Sequence, residues 1–279
     1  MEIQQILRKY DFRFKKSLGQ NFIADKGLLS AIVRDAGIEN TDLVLEIGAG
    51  AGTLTRELSE KAAEVYAFEV DESLAPILAE NLSELDNVKV YFRDILKMTD
   101  PQVEEITGGR AFKVAANLPY YITTPLIMRF LESRLPVTSL TVMVQKEVAD
   151  RLIAKPSTPE YGAITLAVRQ RGDAKIVRKV SKNMFYPAPK VDSAVVRIDI
   201  NHPRDLSPEG KTLSRLIKAG FAMRRKTLVN NISMAFGLSK EAAIAIIKSA
   251  GLPETIRGEA LDLDNYKALA AAISALKES

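Results

Sequence analysis

The chain of 279 residues has no cysteine and a single histidine, and those two scarcities remove whole classes of chemistry. Without thiols there are no disulfides and no thiolate metal sites. His202 stands beside Pro203 in a turn-like stretch, so neither an imidazole metal site nor a Ser-His-Asp triad can be assembled. No metal is expected, and acid-base chemistry must rest on other groups or be slight. Long apolar runs are also missing. Nothing approaches the ~18 residues of a membrane span, and MEIQQILRKYDFRFKK is charged where a secretory leader would be apolar. A cytoplasmic protein with no membrane partner is expected.

What is present is unevenly distributed. Net charge is only +4, from 39 basic and 35 acidic residues. Residues 36–110 carry 16 acids against 6 bases, whereas 169–190 hold Arg169, Arg171, Lys175, Arg178, Lys179, Lys182 and Lys190 against Asp173 alone. Lys211, Arg215, Lys218, Arg224, Arg225 and Lys226 follow without an acid among them, and Arg13, Lys15 and Lys16 form a third basic segment. Each cluster alone reads as a solvated helix face; three of them beside an acidic middle point to a polyanion-binding face.

From residue 26 to about 150, helical and strand patterns alternate: GLLSAIVRDAG, LVLEIG, GTLTRELSEKA, EVYAFEV, ESLAPILAENLSEL, VKVYFRD, FKVAA, TPLIMRFLES, SLTVMVQ. Strands joined by helices of this length must run parallel, which predicts an α/β, doubly wound, Rossmann-like sheet. NHPRDLSPEG reads as a linker, and from Lys211 onward every segment reads helical. Two domains are expected: residues 1–203 around the sheet, and a small all-helical C-terminal domain, 204–279.

In LVLEIGAGAGTLT, Gly48, Gly50 and Gly52 follow a strand and precede a helix, so the backbone can turn tightly and a ligand can approach it. The third glycine arrives one residue too early for the dinucleotide fingerprint, which counts against a dehydrogenase. Glu46 before the loop and Glu69 closing the next strand suit a nucleoside. A carboxylate at Glu69 can accept from both ribose hydroxyls, and Asp94, ending the third strand on the same sheet edge, can accept from an adenine amine. Strand-end acids are the plainer account of each alone; with the glycines they favour S-adenosylmethionine.

Asn117 of NLPYY lies at that same edge. Its side-chain oxygen and the Leu118 carbonyl offer two acceptors for an exocyclic amine, and Tyr120 offers a face for a base to stack on. In FYPAPKVDS, Phe185 can close on the base's other face. For both rings a place in the core is the alternative.

At these residues the sequence resembles the small-subunit ribosomal RNA adenine N6,N6-dimethyltransferase family over essentially its whole length. The likeness runs through KSLGQNFI, VLEIGAGAGTLT, AFEVD, FRDIL, NLPYYITTPL, FYPAPKVDSAVV and FAMRRKTLVNNI. The first six also look like the large-subunit rRNA methyltransferases of macrolide resistance, whereas RRKTLVNN and IRGEALDLDNYKALAAAI look like the small-subunit branch. The resemblance implies that Asn21 and Ile23 cover the cofactor, that Gly48 approaches its methionine part, and that Glu69 and Asp94 hold ribose and adenine. It implies that Asn117 borders both cofactor and target. Ile23 stands where Leu is usual and Ala49 where Pro is common, changes that keep shape and polarity. By the same resemblance the protein is a monomer that dimethylates two adjacent adenosines near the 3′ end of small-subunit rRNA, within a pre-ribosomal particle. Lys15, Lys16, Lys182, Arg224, Arg225 and Lys226 would grip phosphates. A large-subunit rRNA adenine methyltransferase of the macrolide-resistance type and a non-catalytic rRNA-reading assembly factor are the remaining rivals.

Overall fold

The computed structural model describes residues 5–6, 9–12, 15, 22–23 and 25–278, without the side chains of the last two. The described chain divides into two compact units, 1–149 with 173–201 and 150–172 with 202–279.

The first unit is built on a sheet of β2 (Leu43–Ile47), β3 (Glu64–Glu69), β4 (Val88–Phe92), β5 (Phe112–Asn117), β6 (Val137–Gln145), β7 (Gly172–Val180) and β9 (Ser193–Ile200). The spatial order is β4-β3-β2-β5-β6-β9-β7. The first five run parallel, and β9 pairs antiparallel with β6. LVLEI is buried at all five positions, as a central strand covered on both faces must be. Helices α1 (Lys26–Asp35), α2 (Thr53–Ser59), α3 (Ala75–Asn81), α4 (Asp100–Thr107) and α5 (Tyr120–Leu131) supply the cover. Helix α1 begins where the Asp25 carboxylate accepts from Leu28 N at 2.7 Å, and it buries Leu28, Leu29, Ile32 and Val33.

Two elements were not anticipated. Helix α4 is short and polar, but Thr99 and Gln102 form a capping box, Pro101 sits in its first turn, and Gly108 ends it in a left-handed turn. A two-stranded ribbon pairs β1 (Phe22–Ile23) with β8 (Phe185–Tyr186), placing Phe22 opposite Tyr186 and Ile23 opposite Phe185. Strands this short leave no alternating pattern to read.

Helix α6 (Lys146–Ile153) spans the division at 149/150, and the second unit contains α7 (Ala163–Arg171), α8 (Pro208–Ala222), α9 (Leu228–Phe236), α10 (Lys240–Ser249) and α11 (Leu263–Glu278). The sequence reading puts residues 150–172 with the sheet, on the far side of a boundary at 203/204. They pack instead with the C-terminal helices, because Ala154, Tyr161 and Leu166 join Leu216, Ile232, Ile246 and Tyr266 in one apolar core. The Tyr161 hydroxyl donates to Leu261 O at 2.8 Å, tying the segment down with its one polar atom satisfied.

Candidate active site

One cleft of about 1090 Å³, open to solvent, lies at the carboxyl ends of β2, β3, β4 and β5. Ile23, Gly48, Gly50, Glu69, Asp94, Asn117, Leu118, Tyr120 and Phe185 all line it, so every expected cofactor or catalytic residue that is described converges here. Asn21 lies outside the described residues, as does Lys16.

The floor is set by the glycine turn. Gly48 N and Ala49 N both donate to Phe68 O, at 2.8 and 3.1 Å, which lays the loop across the end of β3. Gly48 has φ +82°, and a Cβ there would lie 2.6 Å from Leu118 Cδ2. Gly50 has φ +57°, with Phe22 Cε1 2.9 Å from where its Cβ would sit. Gly48→Ala is therefore expected to cost about 1–3 kcal/mol of stability through the strained turn and to displace Leu118. A lowered melting temperature together with slowed turnover checks this; an unchanged pair of values would contradict it.

Glu69 is buried and anchored. Its Oε2 accepts from Gly50 N at 2.8 Å, and its Oε1 accepts from Val70 N and Asp71 N at 2.8 and 2.9 Å. A carboxylate has about four acceptor directions, so capacity remains for a ligand hydroxyl. Asp94 accepts from Leu96 N at 3.0 Å and has Lys97 Nζ at 3.7 Å, which leaves it partly exposed at the rim.

Asn117 ends β5, opposite Met143 of β6. Helix α5 then begins at Tyr120. The Tyr120 hydroxyl lies 2.8 Å from Ser193 Oγ, so the NLPY turn is hydrogen-bonded to the end of FYPAPKVDS, and burial raises the phenol's pKa. Phe185 is 5% exposed and packs with Ile23, Leu28, Leu29 and Val195. It is a core residue that also lines the cleft.

Sequence reasoning passed over Tyr121, which is 60% exposed at the cleft and follows the NLPY motif directly. It also missed Ser193, whose partner is visible only in three dimensions. Glu46 was read only as nucleoside-compatible. It is 1% exposed, and burial pushes its carboxyl up to about 8, with the nearby Thr55 hydroxyl opposing and the Glu69 charge reinforcing the shift. Neither Glu46 Oε2 nor Thr55 Oγ1 has a hydrogen bond of good geometry.

The expected phosphate-gripping residues are divided. Lys15 and Lys182 belong to the first unit and Arg224, Arg225 and Lys226 to the second, in the turn between α8 and α9. Lys15 Nζ pairs with buried Asp71 Oδ1 at 2.6 Å, and Arg224 pairs with Glu259 at 3.0 Å, so both already have acidic partners. Lys182, Arg225 and Lys226 are exposed. Among the described residues, no group of three or more His, Asp or Glu could hold a metal ion, and no helix is long and apolar enough to cross a membrane.

A glycine turn after β2, an anchored acid closing β3, an acid after β4 and an Asn-Leu-Pro-Tyr turn after β5 define a Rossmann-like α/β methyltransferase. The chain belongs to the ribosomal RNA adenine dimethylase family, whose model matches residues 11–267. It is 47% identical over 271 residues to the ribosomal RNA small subunit methyltransferase A of Lachnoclostridium phytofermentans, covering 95% of this chain and 93% of that one. Among solved structures, a dimethyladenosine transferase from Plasmodium falciparum superposes with TM-score 0.73 at 24% identity, over 88% of this chain and 94% of that one. The 23S rRNA methyltransferase ErmE gives 0.69, also at 24%, over 91% and 99%. At that identity the two structures speak to the fold alone, and it is the same fold in both.

Proposed function

We propose that the protein transfers methyl groups from S-adenosylmethionine to N6 of two adjacent adenosines near the 3′ end of small-subunit rRNA. It would act as a cytoplasmic monomer on a precursor of the small ribosomal subunit during ribosome biogenesis. One observation carries the reading: a single cleft brings the acids Glu69 and Asp94, suited to a nucleoside, together with Asn117, Leu118 and Tyr120. The 47% identity to a small-subunit methyltransferase favours that substrate over large-subunit rRNA.

The residues fit the cofactor. Glu69 is held in one orientation by three amides and can accept from the ribose. Asp94 at the rim can accept from the adenine amine, Gly48 lets the methionyl chain pass, and Ile23 covers it. Bound S-adenosylmethionine supplies a methyl group activated on sulfur. Everything else is placement, with nitrogen and methyl carbon about 3–3.5 Å apart and aligned.

An adenine amine is a poor nucleophile because its lone pair is shared with the ring. Asn117 and the Leu118 carbonyl accept its two hydrogens, drawing the nitrogen toward pyramidal geometry and freeing the pair. The proton made acidic by attack leaves to those acceptors or to water, so no His or Cys is needed. Extracting the base costs a few kcal/mol. Stacking on Tyr120, with Phe185 as part of the wall, returns about 1–3 kcal/mol. Lys182, Arg225 and Lys226 are exposed for phosphate contacts, and binding is then steeply salt dependent.

The test offers radiolabelled methyl donor with unmodified small and large subunits, then maps the products by mass. Two dimethyladenosines in small-subunit rRNA are expected. Label in the large subunit instead would establish the resistance-type activity, and no label in either would favour a non-catalytic factor.

A further inference from the structure

Among the described residues Tyr121 is the one large aromatic side chain that stands exposed, at 60%, and it does so at the mouth of the cleft. It is the second residue of α5, directly after Tyr120. Successive residues of a helix project about 100° apart, and the Tyr120 ring is already engaged, its hydroxyl 2.8 Å from Ser193 Oγ on β9. The Tyr121 ring therefore opens in a different direction, toward solvent. It also stands away from the cofactor acids. Strand β5, which leads into α5, flanks β2 on one side, whereas β3 and β4, which carry Glu69 and lead to Asp94, lie on the other.

We propose that Tyr121 is a stacking platform for the nucleotide joined to the target adenosine, so that the protein holds two neighbouring bases at once, one in the pocket and one at its mouth. The proposal rests on the adenosine-methylating reading and adds a substrate-binding residue to it. Turning one base out of its stack leaves the base beside it with a face uncovered. An exposed phenol ring at the mouth covers that face, and because every base has a π-face the contact does not depend on which base arrives. That tolerance suits a pair of adjacent targets. Whichever adenosine enters the pocket, a nucleotide joined to it stands at the mouth.

Steady-state methylation of unmodified small subunits by the full chain, at saturating methyl donor, tests this. Tyr121→Ala should raise the KM for the subunit about 5- to 100-fold, the range for one lost base stack. Its kcat should change far less, as expected when uniform binding is removed, and its S-adenosylmethionine dissociation constant should not change. Tyr121→Phe and Tyr121→Trp keep a ring and should restore the wild-type KM, whereas Tyr121→Leu keeps apolar bulk without a π-face and should behave like alanine. A second measurement makes the nucleotide 5′ or 3′ to one target adenosine abasic, with sugar and phosphate kept. One of those two positions should cost the wild type the same factor and cost Tyr121→Ala nothing further. An unchanged KM in Tyr121→Ala, a wild-type KM in Tyr121→Leu, or no coupling at either abasic position would overturn the proposal. A parallel loss of S-adenosylmethionine affinity in Tyr121→Ala would overturn it too, by assigning the ring to the cofactor. Wild-type protein that methylates no adenosine in either subunit would overturn the functional reading itself, a separate failure.

Discussion

Replacing Asn117 with alanine is expected to slow methyl transfer on the order of 10²–10³-fold, the cost of losing one pre-positioned polar group at the reacting atom. The side chain stands at the end of β5, paired to β6, with helix α5 starting three residues on. It can therefore meet the amine without reorganising. Affinity for rRNA should stay within about twofold, because phosphate contacts elsewhere dominate it. Single-turnover rates beside a binding isotherm separate the two quantities. Transfer at the wild-type rate would remove Asn117 from the mechanism.

Replacing Glu69 with alanine acts on binding instead. The variant is expected to raise the S-adenosylmethionine dissociation constant on the order of 100-fold, about 2.7 kcal/mol. Two losses combine. The ribose loses its charged acceptor, and the amides of Gly50, Val70 and Asp71 lose the carboxylate that fixes the glycine turn against β3. Thermal stability should therefore fall even without cofactor, since hydrogen bonds to a charged, buried acceptor are among the stronger ones. Glu69→Gln keeps one acceptor oxygen and should lose less on both measures. Calorimetric titration with a melting curve checks each part. An unchanged dissociation constant would refute the ribose role, whatever happened to the melting temperature.

The parallel sheet was legible because LVLEI, EVYAFEV and FKVAA are short apolar strands separated by amphipathic helices, a pattern with few alternatives. Placing Glu69, Asp94 and Asn117 on one edge followed from direction alone, since parallel strands end together. The ribbon of β1 and β8 was not legible, because two-residue strands are chosen by the partner and not by their own periodicity. Helix α4 carried a signal that went unread: the capping box at Thr99 and Gln102 and Gly108 at its end. The domain boundary failed for a different reason. Ala163–Arg171 has a helical pattern, but which core receives Leu166 is not a local property.

The sequence by itself determined the chemistry available, by withholding cysteine and all but one histidine, and it determined the order of strands and helices that places polar residues after each strand. Only the tertiary structure decided how those residues are held. It set three amides on Glu69, tied the Tyr120 hydroxyl to Ser193, buried Phe185 as it lines the cleft, and left Glu46 without a partner for one oxygen. The physical reason is range. Period and turn chemistry act over a few neighbouring residues, whereas burial and hydrogen-bond completion join residues as far apart as 120 and 193, which meet only when the chain has folded.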